Sequence, residues 1–219
     1  MSVLGRLHLI TDSHPGRDTV DVVRATLRAG IDAGAAPVIQ VRVADDVTDR
    51  EAYLLAEQVG RLCREANATC LVNDRLHIAL AVAADGGHVG ADDLPVDVAR
   101  RVLGPAAVLG ATARDPHSAR AGVAAGASYL GVGPAFQSST KPGLREPLGP
   151  AGVAAVASAV DVPVIAIGGI TADRVAELRA AGAYGVAVVA AVNAAPDPYL
   201  AALELFKALG EIRIPGEIR

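Results

Sequence analysis

Aromatic side chains make up only 3% of this 219-residue chain, tryptophan is absent and methionine occurs once. A core without bulky rings must be built from small residues packed closely, and the 52% hydrophobic content leans on Ala and Val. Cysteine occurs twice, as Cys63 and Cys70. A metal or redox pair would need closer spacing or further ligands, so both read as reduced core residues. No apolar run reaches the ~18 residues of a membrane span, and the start MSVLGRLHLITD lacks the charged end and long apolar region of a signal peptide. A soluble, cytoplasmic protein is expected. The net charge of -4 gives no basic footprint for a nucleic acid. Lysine is scarce as well: only Lys141 and Lys207 stand in a chain that otherwise uses arginine.

What is present is a repeated alternation. Apolar runs at Leu7 to Thr11, Pro37 to Val43, Thr69 to Val72, Gly87 to Val89, Val108 to Ala111, Tyr129 to Val132, Val162 to Ile167 and Gly185 to Val189 read as strands. Helical patterns lie between them, from Val20 to Ala33 through to Pro198 to Leu209. The strand runs are near-continuous Val, Ile, Ala and Leu, as in parallel strands buried on both faces. Eight strand and helix pairs in one domain, 1–209, close naturally into a (β/α)8 TIM barrel, with 210–219 as a tail. A doubly wound open sheet is the main rival. The sequence leaves open whether the chain forms a homodimer.

The stretch Cys70 to Pro95 carries two acidic pairs, Asn73-Asp74 and Asp92-Asp93, each just after a strand. A parallel strand, helix, strand unit brings both to the carboxyl-terminal edge of the sheet, where ligands sit in such folds. Carboxylate oxygens meeting there suit a hard cation such as Mg2+. Asp74 equally fits an N-cap for the following helix. Asp93 fits that job less well, because Pro95 suits a first helical position and puts the cap at Leu94.

Other strand ends add anion-binding groups. Gln40 and Arg42 are two apart on a strand, so their side chains share one side, and a guanidinium there can grip phosphate oxygens or pair with Asp12 or Asp74. The loop Gly133 to Gly149 is long for its place and holds Ser138, Ser139, Thr140 and Lys141, which suit a phosphate partner or a plain surface turn. Gly168-Gly169 and Val189-Ala190 end the seventh and eighth strands, where barrels commonly bind phosphate. His88 within a strand and His77 within a helix default to core or groove roles. No Ser-His-Asp or Cys-His arrangement stands out.

At Gln40-Val41-Arg42, LVNDR (Leu71 to Arg75), GGHVGADDLP (Gly86 to Pro95), GAT at the fifth strand, VGPAFQSSTKPG (Val132 to Gly143), AIGGIT (Ala166 to Thr171) and GVAVVAAV (Gly185 to Val192), the chain resembles the thiamine-phosphate synthase family over nearly its whole length. The resemblance implies a (β/α)8 barrel that joins a pyrimidinylmethyl diphosphate to a thiazole phosphate and releases diphosphate with Mg2+. It implies Asp74 and Asp93 as metal ligands. Gln40, Arg42, Asn73, Thr112 and Lys141 would contact the pyrimidine diphosphate. Ser138, Ser139, Thr140, Gly169, Val189 and Ala190 would hold the thiazole phosphate. The catalytic burden would fall on Arg42, Lys141 and Asp93.

The chain also departs from the family pattern. Val43 and Ala44 stand where the family usually has Glu and Lys, so one cation of the diphosphate clamp is missing. Thr112 replaces a serine, Ser138 a threonine, Ala190 a serine, and Arg114 the histidine usual after the fifth strand. A thiazole tautomerase is a second reading, opposed by Asn73-Asp74 and by Arg114. A barrel that only binds thiazole phosphate or thiamine phosphate is a third, motivated by Val43 and Ala44.

Overall fold

In the computed structural model, which describes residues 4–12, 18–138 and 146–210, eight parallel strands close into a barrel in sequential order. The elements are β1 (Leu7–Ile10), α1 (Thr19–Ala33), β2 (Val38–Val41), α2 (Asp49–Glu65), β3 (Thr69–Asn73), α3 (Leu76–Ala81), β4 (Gly86–Val89) and α4 (Val96–Leu103). They continue with β5 (Val108–Ala113), α5 (Pro116–Ala124), β6 (Tyr129–Val132), α6 (Gly149–Ala157), β7 (Val164–Ile167), α7 (Ala172–Ala180), β8 (Gly185–Val188), α8 (Ala190–Asn193) and α9 (Pro198–Ala208). The expected (β/α)8 barrel is therefore present as a single domain, and the open-sheet rival is excluded by the β1–β8 pairing, Leu7 to Val186 through Leu9 to Val188. Among the described residues no helix is long and apolar enough to cross a membrane. Of the tail, all but Gly210 lies outside the described residues.

Local chemistry sets the helix ends. Asp18 caps α1 through Val20 N, and Gly34 ends it in a left-handed conformation. Thr48 and Glu51 close a capping box on α2, and Asp115 with Pro116 opens α5 as the sequence pattern requires. The last helices seal the barrel: buried Asn193 on α8 donates to Ile10 O at 2.9 Å and to Val189 O, the helix's own N-cap, at 2.7 Å, tying α8 to the end of β1 beside the closure.

Alternation along the strands divides the core into two layers. Leu9, Ile39, Cys70, Val72, Val89, Leu109 and Val186 pack outward against the helices in one cluster. Ile10, Val38, Leu71, Tyr129, Ile165 and Ala187 fill the barrel interior in another. The few aromatics of the sequence matter most here. Tyr129 is fully buried, its ring 5.2 Å from that of His8 and 5.6 Å from that of His88. Gly110 makes room for it, since a Cβ there would stand 2.2 Å from Tyr129 Cζ and 2.3 Å from His88 Nδ1.

Several expected boundaries move for physical reasons. β2 stops at Val41 because the Thr11 hydroxyl accepts from Arg42 N at 2.9 Å and donates to Arg42 O at 2.8 Å, taking the place of a ladder bond. β5 runs on to Ala113, so Thr112 is a strand residue rather than one that follows the strand. α4 begins at Val96 with Pro95 as its N-cap, one residue later than expected. α8 was not anticipated, being a four-residue helix with no period to read. His77 is neither core nor groove: it is exposed and meets Asp49 Oδ2 at 3.1 Å. Cys63 and Cys70 are buried and free, as read.

Burial lowers the His8 pKa to about 3 and the His88 pKa to about 4, from 6.5. The unfolded chain therefore binds protons near pH 6 that the folded barrel refuses. Stability from both rings is fully present above about pH 6.5 and falls as pH drops toward 4, with a slope approaching ~1.4 kcal/mol per pH unit for buried His8 and a shallower one for His88, which lines the cavity. Denaturant midpoints should drop between pH 7 and pH 5, and His8→Gln should flatten the curve; a flat wild-type profile over that range would refute this account.

Candidate functional site

The carboxyl-terminal ends of the strands surround a cavity of about 920 Å³. Its polar lining follows from strand parity. Gln40 on β2, Asn73 on β3, His88 on β4 and Thr112 on β5 all occupy inward positions, and Arg42 continues the inward series of β2. The Thr11 hydroxyl holds the Arg42 backbone from both its N–H and its C=O, which fixes where the side chain leaves the wall. No ion pair among the described residues engages the Arg42 guanidinium, so the salt bridge considered from sequence does not form there.

A short polar chain runs along the β2–β3 side. Gln40 Nε2 donates to Asn73 Oδ1 at 2.6 Å, and Asn73 Nδ2 donates to the Asp74 carboxylate. Asp74 adopts a left-handed backbone, φ +59°, which a non-glycine residue holds only when its surroundings demand it. Its N–H donates to His88 O at 2.9 Å, which anchors the turn. Asp74 does not cap α3: the N-cap is Arg75, with no side-chain capping bond. The capping alternative therefore fails, and the strained backbone turns the carboxylate residue into the cavity wall.

Asp93 reaches the same cavity from the loop after β4. Its Oδ2 accepts from Gly90 N at 2.7 Å, so the loop folds back on itself and presents a carboxylate held by the backbone. The donor set of Asp74 and Asp93 is oxygen only. No cluster of three or more His, Cys, Asp or Glu suited to a metal occurs among the described residues. Two carboxylates, completed by water and ligand oxygens, match the way magnesium is usually held and would not suit a softer metal.

His88 and Thr112 form the floor. His88 Nε2 lies 3.1 Å from Thr112 Oγ1 and its Nδ1 lies 3.0 Å from the Tyr129 hydroxyl. Desolvation keeps this ring neutral despite the opposing pull of Asp93, so one nitrogen donates and the other accepts. Burial likewise keeps the Tyr129 phenol protonated. The sequence reading left His88 between core and groove roles; counting parity from Gly86 places it inward, near Thr112.

The opposite wall is glycine and backbone. Gly168 and Gly169 follow β7 with φ +96° and +62°, and a Cβ on Gly169 would sit 2.3 Å from Gln137 O. The β6–α6 loop packs that closely because Ala135 N donates to Ile167 O at 2.7 Å and Phe136 N to Gly168 O at 3.0 Å. Gln137 and Ser138 line the cavity from this loop, and Val189 and Ala190 line it where β8 passes into α8. Ser139, Thr140 and Lys141 lie outside the described residues. Arg174 was not anticipated: it reaches the cavity from α7, its guanidinium 4.6 Å over the Phe136 ring and donating to Gly169 O at 2.6 Å. Val43, Ala44 and Asp45 line the edge where the missing Glu-Lys pair would stand.

The thiamine monophosphate synthase family profile matches residues 7–192 of the chain. Thiamine-phosphate synthase of Salinispora arenicola is 63% identical over 95% of this chain and 99% of that protein. The enzyme of the same name from Salinispora tropica is 62% identical over equal shares. Among solved structures, thiamine phosphate pyrophosphorylase of Pyrococcus furiosus superposes with a TM-score of 0.83 at 34% identity, covering 94% of this chain and 96% of that one. With the profile spanning the barrel from β1 into α8 and relatives matched nearly end to end, the chain belongs to the thiamine monophosphate synthase family.

Proposed function

We propose that the cavity binds a pyrimidinylmethyl diphosphate and a thiazole phosphate together and joins them to thiamine phosphate, releasing diphosphate. The observation that carries this reading is that one cavity has two chemically different halves. Asp74, Asp93 and Arg42 line one side, while Gly168, Gly169 and the end of β8 line the other. A diphosphate suits the first half, where a guanidinium can bind it in bidentate fashion and carboxylates can share a cation with it. A phosphate monoester suits the second, since glycines let backbone amides come close and barrels commonly use the loops after strands seven and eight for this purpose.

Asp74 and Asp93 would hold Mg2+, which when bound supplies positive charge beside the departing diphosphate. Arg42 adds a fixed cation to the same leaving group, and Lys141 is assigned a second. The bond from the pyrimidinylmethyl carbon to the diphosphate oxygen can then ionise before the new carbon–nitrogen bond forms. Thr112, held 3.1 Å from His88 Nε2, orients the pyrimidine diphosphate through its hydroxyl. Gln40 and Asn73, already tied to each other, present a rigid polar edge to the ring. The thiazole nitrogen, placed by its phosphate in the glycine half with Ser138, Ser139, Thr140, Gly169, Val189 and Ala190, captures the cation ahead of water. No general base is needed, which accords with the one histidine that lines the cavity among the described residues, His88, being made a weak base by burial, its pKa lowered to about 4.

Diphosphate release should require both phosphorylated substrates and magnesium, and Asp93→Ala should lower kcat by about 100-fold, the scale of a lost electrostatic contact to developing charge. Full turnover by Asp93→Ala without magnesium would sink the metal assignment, and tight product binding without turnover in the wild type would favour a binding-only barrel.

Gly169→Ala forces a Cβ against Gln137 O and so displaces the loop. Its KM for the thiazole phosphate should rise roughly tenfold or more while the KM for the pyrimidine diphosphate changes little, since misplacement of about 1 Å is costly to a positioned reactant. Equal rises in both constants would contradict the two-halves assignment.

A further inference from the structure

Arg114 stands outside the cavity lining, yet its two terminal nitrogens reach across the base of the β6–α6 loop. The register of β5 with β6 pairs Ala113 with Val132, so the residue after β5 lies beside Gly133 at the root of that loop. Arg114 Nη1 donates to Gly133 O at 2.7 Å and Nη2 donates to Glu146 O at 2.8 Å. The two carbonyls belong to the outgoing and returning arms of the loop, thirteen positions apart in sequence, and one planar guanidinium bridges them. Its own backbone is held: Arg114 N donates to Ser118 Oγ, within the capping box that Asp115 and Ser118 make on α5.

We infer that Arg114 is a positioning residue that sets residues 133–138 of the β6–α6 loop against the glycine half of the cavity and so determines affinity for the phosphate monoester. The loop places Pro134, Gln137 and Ser138 on the cavity wall. Backbone bonds from Leu148 N to Pro134 O and from Gly149 N to Ala135 O join the two arms where they leave β6 and enter α6. Arg114 is the side chain that ties the returning arm at Glu146 back to the β5–β6 wall. A guanidinium suits the task because its rigid fork offers two donors at fixed separation, and a lysine ammonium cannot span both carbonyls in one geometry. On the other flank, Arg174 from α7 stacks on Phe136 and bonds Gly169 O, so the described part of the loop lies between two arginines.

This inference rests on the proposed synthase reading for its kinetic arm, and the test separates the two. In the full-length protein, Arg114→Ala should raise backbone amide exchange at residues 133–138 and 146–149, a readout that needs no substrate. It should also raise the KM for the thiazole phosphate about tenfold, the scale of a slightly misplaced binding wall, with kcat within about twofold and the melting temperature little changed. Arg114→Lys should recover only part of the KM, and millimolar guanidinium added to Arg114→Ala should recover more than ammonium at equal concentration. Unchanged exchange at the loop, an unchanged KM, or a fall in kcat and stability that guanidinium does not relieve would each overturn the positioning role. Absence of synthase turnover in the wild type would instead reject the functional reading, and the exchange result would still decide whether Arg114 holds the loop.

Discussion

The site depends on closure of a parallel ladder in which only alternate side chains can face the barrel axis. Once β8 pairs with β1, each strand offers the interior its residues at i and i+2, and the last inward position of each strand opens on the carboxyl-terminal mouth. Gln40, Asn73, His88 and Thr112 hold those last inward positions on β2 to β5. No local attraction gathers them. Their assembly is a consequence of register, and a one-residue slip of a strand would turn its polar inward residue out and bring in a neighbour such as Val41, Val72, Val89 or Ala113.

A second constraint is volume. A barrel of small side chains has little to spend on a polar floor, and it concentrates its bulk in one interior tyrosine. Gly110 yields space to the Tyr129 ring, and the Tyr129 hydroxyl in turn orients His88, which meets Thr112. The same shortage of bulk explains the opposite wall, where Gly169 admits the Gln137 carbonyl at a distance no side chain would tolerate. Close backbone approach on one side and a buried neutral hydrogen-bond relay on the other come from the same composition.

Much of this was legible beforehand. The eight apolar runs read as parallel strands because burial on both faces leaves them nearly uninterrupted, and they lie within a few residues of the observed strands. Gln40 with Arg42, Asn73 with Asp74, and Gly168 with Gly169 were legible because residues at strand ends lie at the mouth of any such barrel. His88 was left between core and groove roles, since a histidine amid Gly and Val has no assigned partners until the neighbouring strands supply them. Arg174 and Asn193 were missed because helices carry them to places that no sequence spacing marks.

By itself the sequence determined the fold class and the chemistry available at the strand ends, because hydrophobic periodicity and residue type are local properties. Tertiary structure alone decided three things. Asp74 occupies a left-handed turn where a helix cap is the more usual role, since its N–H bonds to His88 O on the neighbouring strand. Thr11 reaches the Arg42 backbone from across the β1–β2 pair. Arg114 bridges the arms of a loop that begins nineteen residues later. Each of these is a contact between segments distant in sequence, and the relative placement of such segments is set by barrel closure.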